Sequence, residues 1–471
     1  MTHSAWSILF GAIGLLPMCA NADVVISSAQ TWDVTCTGGL CAPTAADAVL
    51  NVNDLENLLA SGNLEVTTTG GGGVQAGNID VDAAASWSVT NTLSLDAYNS
   101  IAFSKTVSVK GSGGLSLVTN DGGGGGTLSF GLKGNVAFAN LSSVLTINGM
   151  AYTLENSISA LASAISANPG GNYALAADYD AAGDGTYNNT PIRTTVTGTV
   201  EGLGNTISKL SVKIVKGNNP LKQYGLFGEL GRGGTIASLK MTGYKIDVPV
   251  HQGMFHVYYG AGGMVGLNAG LLFDDHASGV LHTKSGGGGL VGQNAGTIAN
   301  SSSDARVSGP TGGGGLVFDN YGEITESYAT GAVSGGDNSI VGGLVAFDDG
   351  GVSNSYAAGE ALGGSNSEVG GLDGSENAAS SAYSAGHVKA AAGSRVGGFA
   401  GEGSNNTANC YWDTTTSGTD QGTGNDENTG ITGLTDKQFK AGLPSGFDPT
   451  IWAESAKINN GLPYLIGNPP K

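Results

Sequence analysis

The chain has 471 residues, only 12% of them charged, and a formal net charge of −19. Lacking any basic run, such a balance excludes nucleic acid and anionic membrane surfaces as expected partners. Its 82 glycines and 12 prolines stay below the share that marks disordered low-complexity chains. A folded, glycine-rich protein is expected.

Residues 1–22 read as a secretory signal. Residues 5–20 are almost wholly apolar, and Ala20-Asn21-Ala22 fits a small-x-small cleavage site. The run is short for a membrane span and holds Pro17. Secretion or display at a cell surface is expected, with no membrane span left after cleavage.

Residues 23–85 form an N-terminal segment. Cys36 and Cys41 flank Thr-Gly-Gly-Leu, and in an oxidising compartment they are expected to close a small disulfide loop. So short a loop contributes about 2 kcal/mol in the chain-entropy account. A short helix is predicted over 53–61, with Asn53 as N-cap and Glu56 at N3.

Residues 86–257 read as a strand-rich, solenoid-like region. Pairs such as Leu93/Leu95, Ile101/Phe103, Val107/Val109, Leu115/Leu117, Leu128/Phe130 and Val136/Phe138 alternate with polar or small neighbours, the period of a strand. Ile158, Leu161 and Ile165 predict an inserted helix over 157–166, stopped at Pro169-Gly170-Gly171. Asp178, Asp180 and Asp184 place oxygen ligands at the close spacing of calcium loops, without the distal Glu of an EF-hand. They are the one candidate metal site, with calcium the cofactor considered. The stretch around 250–259 reads as an insertion.

Residues 258–413 repeat. A Gly-Gly pair precedes each of Met264, Leu290, Leu316, Leu344, Leu372 and Phe399, and Tyr328, Tyr356, Tyr383 and Tyr411 keep the same beat. A fixed period of about 27 residues signals a solenoid whose units bury apolar faces only against their neighbours. Each unit holds three short strand-like runs, as in Leu316-Val317-Phe318, Glu323-Ile324-Thr325 and Ser327-Tyr328-Ala329. The fold class expected is all-β, a parallel β-helix with rungs about 4.8 Å apart. Leu and Tyr ladders are expected inside it, and glycines at positive-φ corners. Residues 414–471 read as a polar linker, then a short helix opened by Thr435, then a bulky non-repeating cap.

The unit at 288–298, Gly-Gly-Leu-Val-Gly-Gln-Asn-Ala-Gly-Thr-Ile, resembles the GLUG repeat. The wider order is similar to passenger regions of filamentous-haemagglutinin-like exoproteins of Gram-negative bacteria. Trp32-Asp33-Val34-Thr35-Cys36, the stretch from Thr146 to Leu154, the stretch from Glu201 to Ile207, and Leu443-Pro444-Ser445-Gly446-Phe447-Asp448 carry that similarity. The resemblance implies a right-handed β-helix, exported and used in adhesion, with an outer-membrane transporter as export partner. Host-cell surfaces or extracellular polysaccharides are the implied ligands. The long secretion domain with Asn-Pro-x-Gly or Asn-Pro-x-Leu motifs that such exoproteins carry is not found here, Asn168-Pro169-Gly170-Gly171 being read as a helix stop.

GLUG units also resemble segments of some bacterial metallopeptidases that cut immunoglobulin A, which need His-Glu-x-x-His. His251 and His256 are one residue too far apart and enclose no Glu. Asp274-Asp275 and Asp348-Asp349 fall at predicted turns and are the carboxylates available to a polysaccharide lyase or hydrolase on this fold. No nucleophile motif is present. A chain that binds without catalysis is therefore expected, with the carbohydrate-active enzyme as alternative.

Overall fold

The computed structural model describes residues 23–123, 125–215, 223–249, 260–375, 378–403, 406–425 and 430–470. The expected leader at 1–22 and insertion at 250–259, with His251 and His256, lie outside the described residues. The chain is an all-β solenoid of short strands stacked in large, mainly parallel sheets.

Alternation builds the rungs. Thr92–Asp96 buries Leu93 and Leu95 while its polar residues face outward. Leu64, Leu93, Leu115 and Leu145 then lie in register on successive rungs. Segment 23–85 supplies strands to the same sheets, as Val24–Ser27 pairs with Ile79–Val81. The helix Val52–Ser61 packs Leu55 and Leu59 against this core. Its cap is Asn51, whose side chain accepts from the Asn53 N–H, so the boundary expected at Asn53 moves two residues earlier. The helix expected over 157–166 runs Ile158–Ala167, with Ser157 just outside it as the N-cap.

One sheet of 16 strands runs the length of the molecule. Inward of the antiparallel edge hairpin Val34–Thr37/Leu40–Pro43, its strands reverse direction once, between Leu145–Ile147 and the antiparallel Met150–Glu155. Asn148 (φ 50°) and Gly149 (φ 76°) make the turn, the Asn-Gly signature of a type I′ hairpin. From there the stack continues parallel through Asn172–Leu175, Thr199–Glu201 and onward. The core changes face at the same place. Leu145, Ile147, Leu154 and Ala174 belong to the first core, whereas Tyr173, Leu175 and Val200 on the opposite face begin the second. Reversing the strands and moving the core to the other face together leave both runs winding with the same hand.

In the second run Met264, Leu290, Leu316, Leu344, Leu372 and Phe399 are all fully buried, and six coils at this spacing span roughly 29 Å. The glycine pairs before them are not at positive-φ corners. They sit where backbone crosses backbone: a Cβ on Gly314 would lie 1.8 Å from the Val317 carbonyl, and one on Gly315 2.1 Å from the Gly343 carbonyl. The left-handed corners belong to another column, Ser238, Asp274, Asn300, Glu326, Asn354, Ser381 and Asn409 (φ 44–55°). Apart from Glu326 these are short polar side chains, of which Asn and Asp tolerate that conformation by bonding locally, so the expected corner glycines are largely replaced by them.

The tyrosine ladder also differs from expectation: it is stacked but lies outside the coil. Tyr328, Tyr356 and Tyr383 are parallel, with centroids 4.9 and 5.0 Å apart. Their neighbours Ala329 and Ala357 face the core instead. A Cβ on Gly315 would come within 2.8 Å of the Ala329 methyl, so only a small residue fits inward and the ring must point out. Residues 436–470 cover the ladder. The tail adds the rung Ile431–Leu434, then folds back as a strap carrying Phe439, Phe447, Trp452, Leu462 and Leu465 onto the rings.

Candidate functional site

The structure does not assemble Asp178, Asp180 and Asp184 into a ligand set. Asp178 accepts from the Thr206 N–H at 2.8 Å. Asp180 accepts from Lys209 Nζ at 2.6 Å and from the Ala182 N–H; the lysine above all, then that N–H, holds its carboxyl below the usual range. Asp184 takes the hydroxyls of Tyr179 (2.5 Å) and Tyr187 (2.6 Å). Burial, then the bond to Asp184, pushes the Tyr179 hydroxyl up to about 12. Among the described residues no three His, Cys, Asp or Glu side chains come together in a metal-holding arrangement.

Asp274-Asp275 and Asp348-Asp349 do not share a face. Asp274 follows the strand Leu271–Phe273, whereas Asp349 precedes Gly351–Ser353, at the other end of the same sheet position. Three coils separate them, about 14 Å at the rung spacing. Both inner members are structural. Asp275 is fully buried and accepts from the Leu239 N–H, heading a ladder in which the N–H groups of Asp275, Ser301 and Ser327 bond to Ser301, Ser327 and Ser355 Oγ. Asp348 ends a buried amide ladder: Asn268, Asn294 and Asn320 each donate to the next rung at 2.7, 2.7 and 2.6 Å. Burial raises Asp348, and likewise Asp319, to about 6. The ladder was readable in retrospect, because its members all stand four residues after the buried hydrophobe.

Cys36 and Cys41 are joined across the antiparallel hairpin of Val34–Thr37 and Leu40–Pro43, at the free edge of the long sheet. Cys410 is fully buried where earlier rungs carry Ser327 and Ser355, and its Sγ lies 3.5 Å from the Ala408 carbonyl. The Asn148-Gly149 reversal escaped the sequence reading although that dipeptide is a strong hairpin signal.

Two open clefts accompany this geometry. One, about 430 Å³, lies on the outer face of the long sheet over Glu323, Thr325, Gly351, Ser353 and Ser380. Another, about 570 Å³, is lined by Tyr187, Asn188, Asn189, Pro191 and Arg193 beside Thr186 and Thr190. Hydroxyls, amides and one guanidinium make the second cleft polar.

No family model matches the chain, and no curated protein matches it. Among solved structures it is similar to a protein described provisionally as an immunoglobulin A1 protease from Bacteroides ovatus. That likeness has 19% identity and a TM-score of 0.42 over 68% of this chain and 92% of the other. It is similar also to an IgA1 protease at 21% identity and TM-score 0.39, over 54% of this chain and 21% of that one. Both bear the name of an enzyme, and the expectation of a chain without catalysis is withdrawn on that finding.

Proposed function

We propose that the chain is an exported, adhesin-like right-handed parallel β-helix that binds host-cell surfaces or extracellular polymers. The observation that carries this reading is the long sheet, whose outer face continues over successive parallel rungs from Asn172–Leu175 onward. Its outward positions include the small polar residues Thr297, Thr325, Ser353 and Ser380, next to Leu271 and Phe273 one rung before. A flat, hydroxyl-rich surface of this length suits repeated weak contacts along a polymer, which multiply into useful avidity. The disulfide at the sheet edge supports export, since such bonds persist in oxidising compartments. In the test, purified protein is offered to epithelial cells and to a panel of polysaccharides, with retention and product release followed together. Saturable retention is the expected result. Absence of retention on every surface would remove the adhesive reading, and release of oligosaccharides would replace it with the carbohydrate-active one.

A further inference from the structure

Against a net charge of −19, stacking gathers cations that the sequence scatters over more than 100 residues. Thr186, Ser211, Lys245, Val280 and Arg306 stand in register on five successive rungs of one outer face. In the neighbouring outward column Lys213, Asp247, His282 and Ser308 follow each other. Lys213, Lys245, His282 and Arg306 are all exposed. The polar cleft of Tyr187, Asn188 and Arg193 opens at the start of this track, because Thr186–Tyr187 pairs with Ser211–Lys213.

Three carboxylates temper the charge without cancelling it. Asp247 lies 3.9 Å from Lys213. Asp304 is exposed two residues before Arg306. Asp184, at the cleft, is occupied by its two tyrosine hydroxyls. Among the described residues no carboxylate is within ion-pair distance of Arg193, Lys245 or Arg306. Exposed cations without partners, on a molecule that otherwise repels anions, orient a polyanion onto one face.

We propose that this cation track and its cleft bind an acidic polysaccharide carrying a carboxylate on each sugar, a polyuronate. The inference rests on the polymer-binding reading above and names its ligand class. An extended polyuronate offers charge at intervals of the order of a rung, so it can meet Lys213, Lys245 and Arg306 in turn. The Tyr187 ring edge and the Asn188 amide suit sugar hydroxyls. Nucleic acid fits less well, since single strands need a succession of aromatic platforms and the track offers one ring.

The test uses the full chain on immobilised polygalacturonate, neutral dextran, heparin and a short DNA duplex, over a salt series. Retention on polygalacturonate that weakens with salt is expected, with little on dextran. The double variant Lys245→Glu/Arg306→Glu lowers retention about tenfold or more, as lost charge-assisted contacts do, and Arg193→Gln lowers it less. Lys105→Glu/Lys457→Glu, equal in charge but elsewhere on the surface, leaves it unchanged. Far-UV circular dichroism and melting temperature identical to the parent show that the variants fold. Equal retention of parent and double variant overturns the proposal, as does tighter retention on DNA or heparin than on polygalacturonate. Binding to cells without binding to polygalacturonate sinks this proposal alone, whereas failure on every surface sinks the adhesive reading as well.

Discussion

The two runs of the solenoid solve the same packing problem with different materials. Before the Asn148-Gly149 turn, rungs are filled by large apolar residues such as Leu93, Phe103, Leu115 and Phe130, with Phe103 stacked on Phe130 at 5.2 Å. After it, each coil buries several apolar residues, such as Leu316, Val317, Ile324 and Val333, but the leading one follows a Gly-Gly pair, and serine and asparagine ladders run through the interior. The first run gains most of its stability from apolar area, which tolerates variation in detail. In the second, backbone crossings and buried hydrogen bonds, which tolerate little, add to the apolar core. A coil built on glycine contacts can be narrow, but each position becomes specific.

The largest expected effect breaks that specificity directly. Gly342→Ala would bring a methyl to 1.6 Å from the Val345 carbonyl, and a loss of about 3–5 kcal/mol is expected. Urea unfolding followed by circular dichroism would measure it. Gly183→Ala, with nothing within 4 Å of its Cβ position, is the control and should change stability little. Next comes Trp452→Ala in the strap. This ring is 1% exposed and lies 4.5 Å from the Phe447 ring, so truncation should cost about 3–4 kcal/mol. Limited proteolysis should then cut the strap and its coils before it touches residues 23–147; cleavage of the first run at the same rate would contradict the division drawn here.

Acidity sharpens the comparison further. Burial raises Asp348 from 3.8 to about 6, so the folded state binds its proton more tightly than the unfolded chain does. The resulting stabilisation is complete below the unfolded value, fades as pH rises through about 6, and is absent at neutral pH. Thermal midpoints should therefore rise as pH falls from 7.5 to 5, and Asp348→Asn should remove on the order of 2 kcal/mol of that dependence. Asp80, at about 6 in the first run, gives the same sign, so a pH profile of Asp348→Asn identical to the parent's would show that the amide ladder plays no part.

The smallest effect separates two rungs of one ladder. The Tyr383 hydroxyl donates to the Pro463 carbonyl at 2.6 Å and accepts from Asn459. That of Tyr356 is buried without a partner. Tyr383→Phe should cost about 1 kcal/mol, and Tyr356→Phe should be neutral or slightly stabilising. Differential scanning calorimetry of the pair would resolve the contrast, and equal losses would refute it.

Much of the architecture was legible because period and alternation are local signals. The hydrophobes from Met264 to Phe399 and the strand pairs from Leu93 to Phe138 occupy buried positions, apart from the half-buried Leu128. What escaped depended on the stack. Whether Tyr328 or Ala329 faces inward is decided by the room left beside Gly315, a residue of another strand. The cations of the track are rungs apart in space but tens of residues apart in sequence, so composition reads as uniformly acidic. Asp178, Asp180 and Asp184 looked like ligands because their spacing is close; Lys209 and the tyrosines that occupy them come from the fold around them.

The strap has a consequence for how such a chain can evolve. Its carbonyls meet the tyrosine hydroxyls at fixed stations: Ser445 at Tyr411, Pro463 at Tyr383 and Pro469 at Tyr328. Asn468 reaches the backbone of Ser301 and Glu326 beyond them. It is a gauge laid along the coils. An open solenoid can lengthen or shorten by whole-unit duplication or deletion with little penalty. Here an added coil between Tyr328 and Tyr411 would slide every station out of register, so the repeat number is locked to the length of a segment that does not itself repeat.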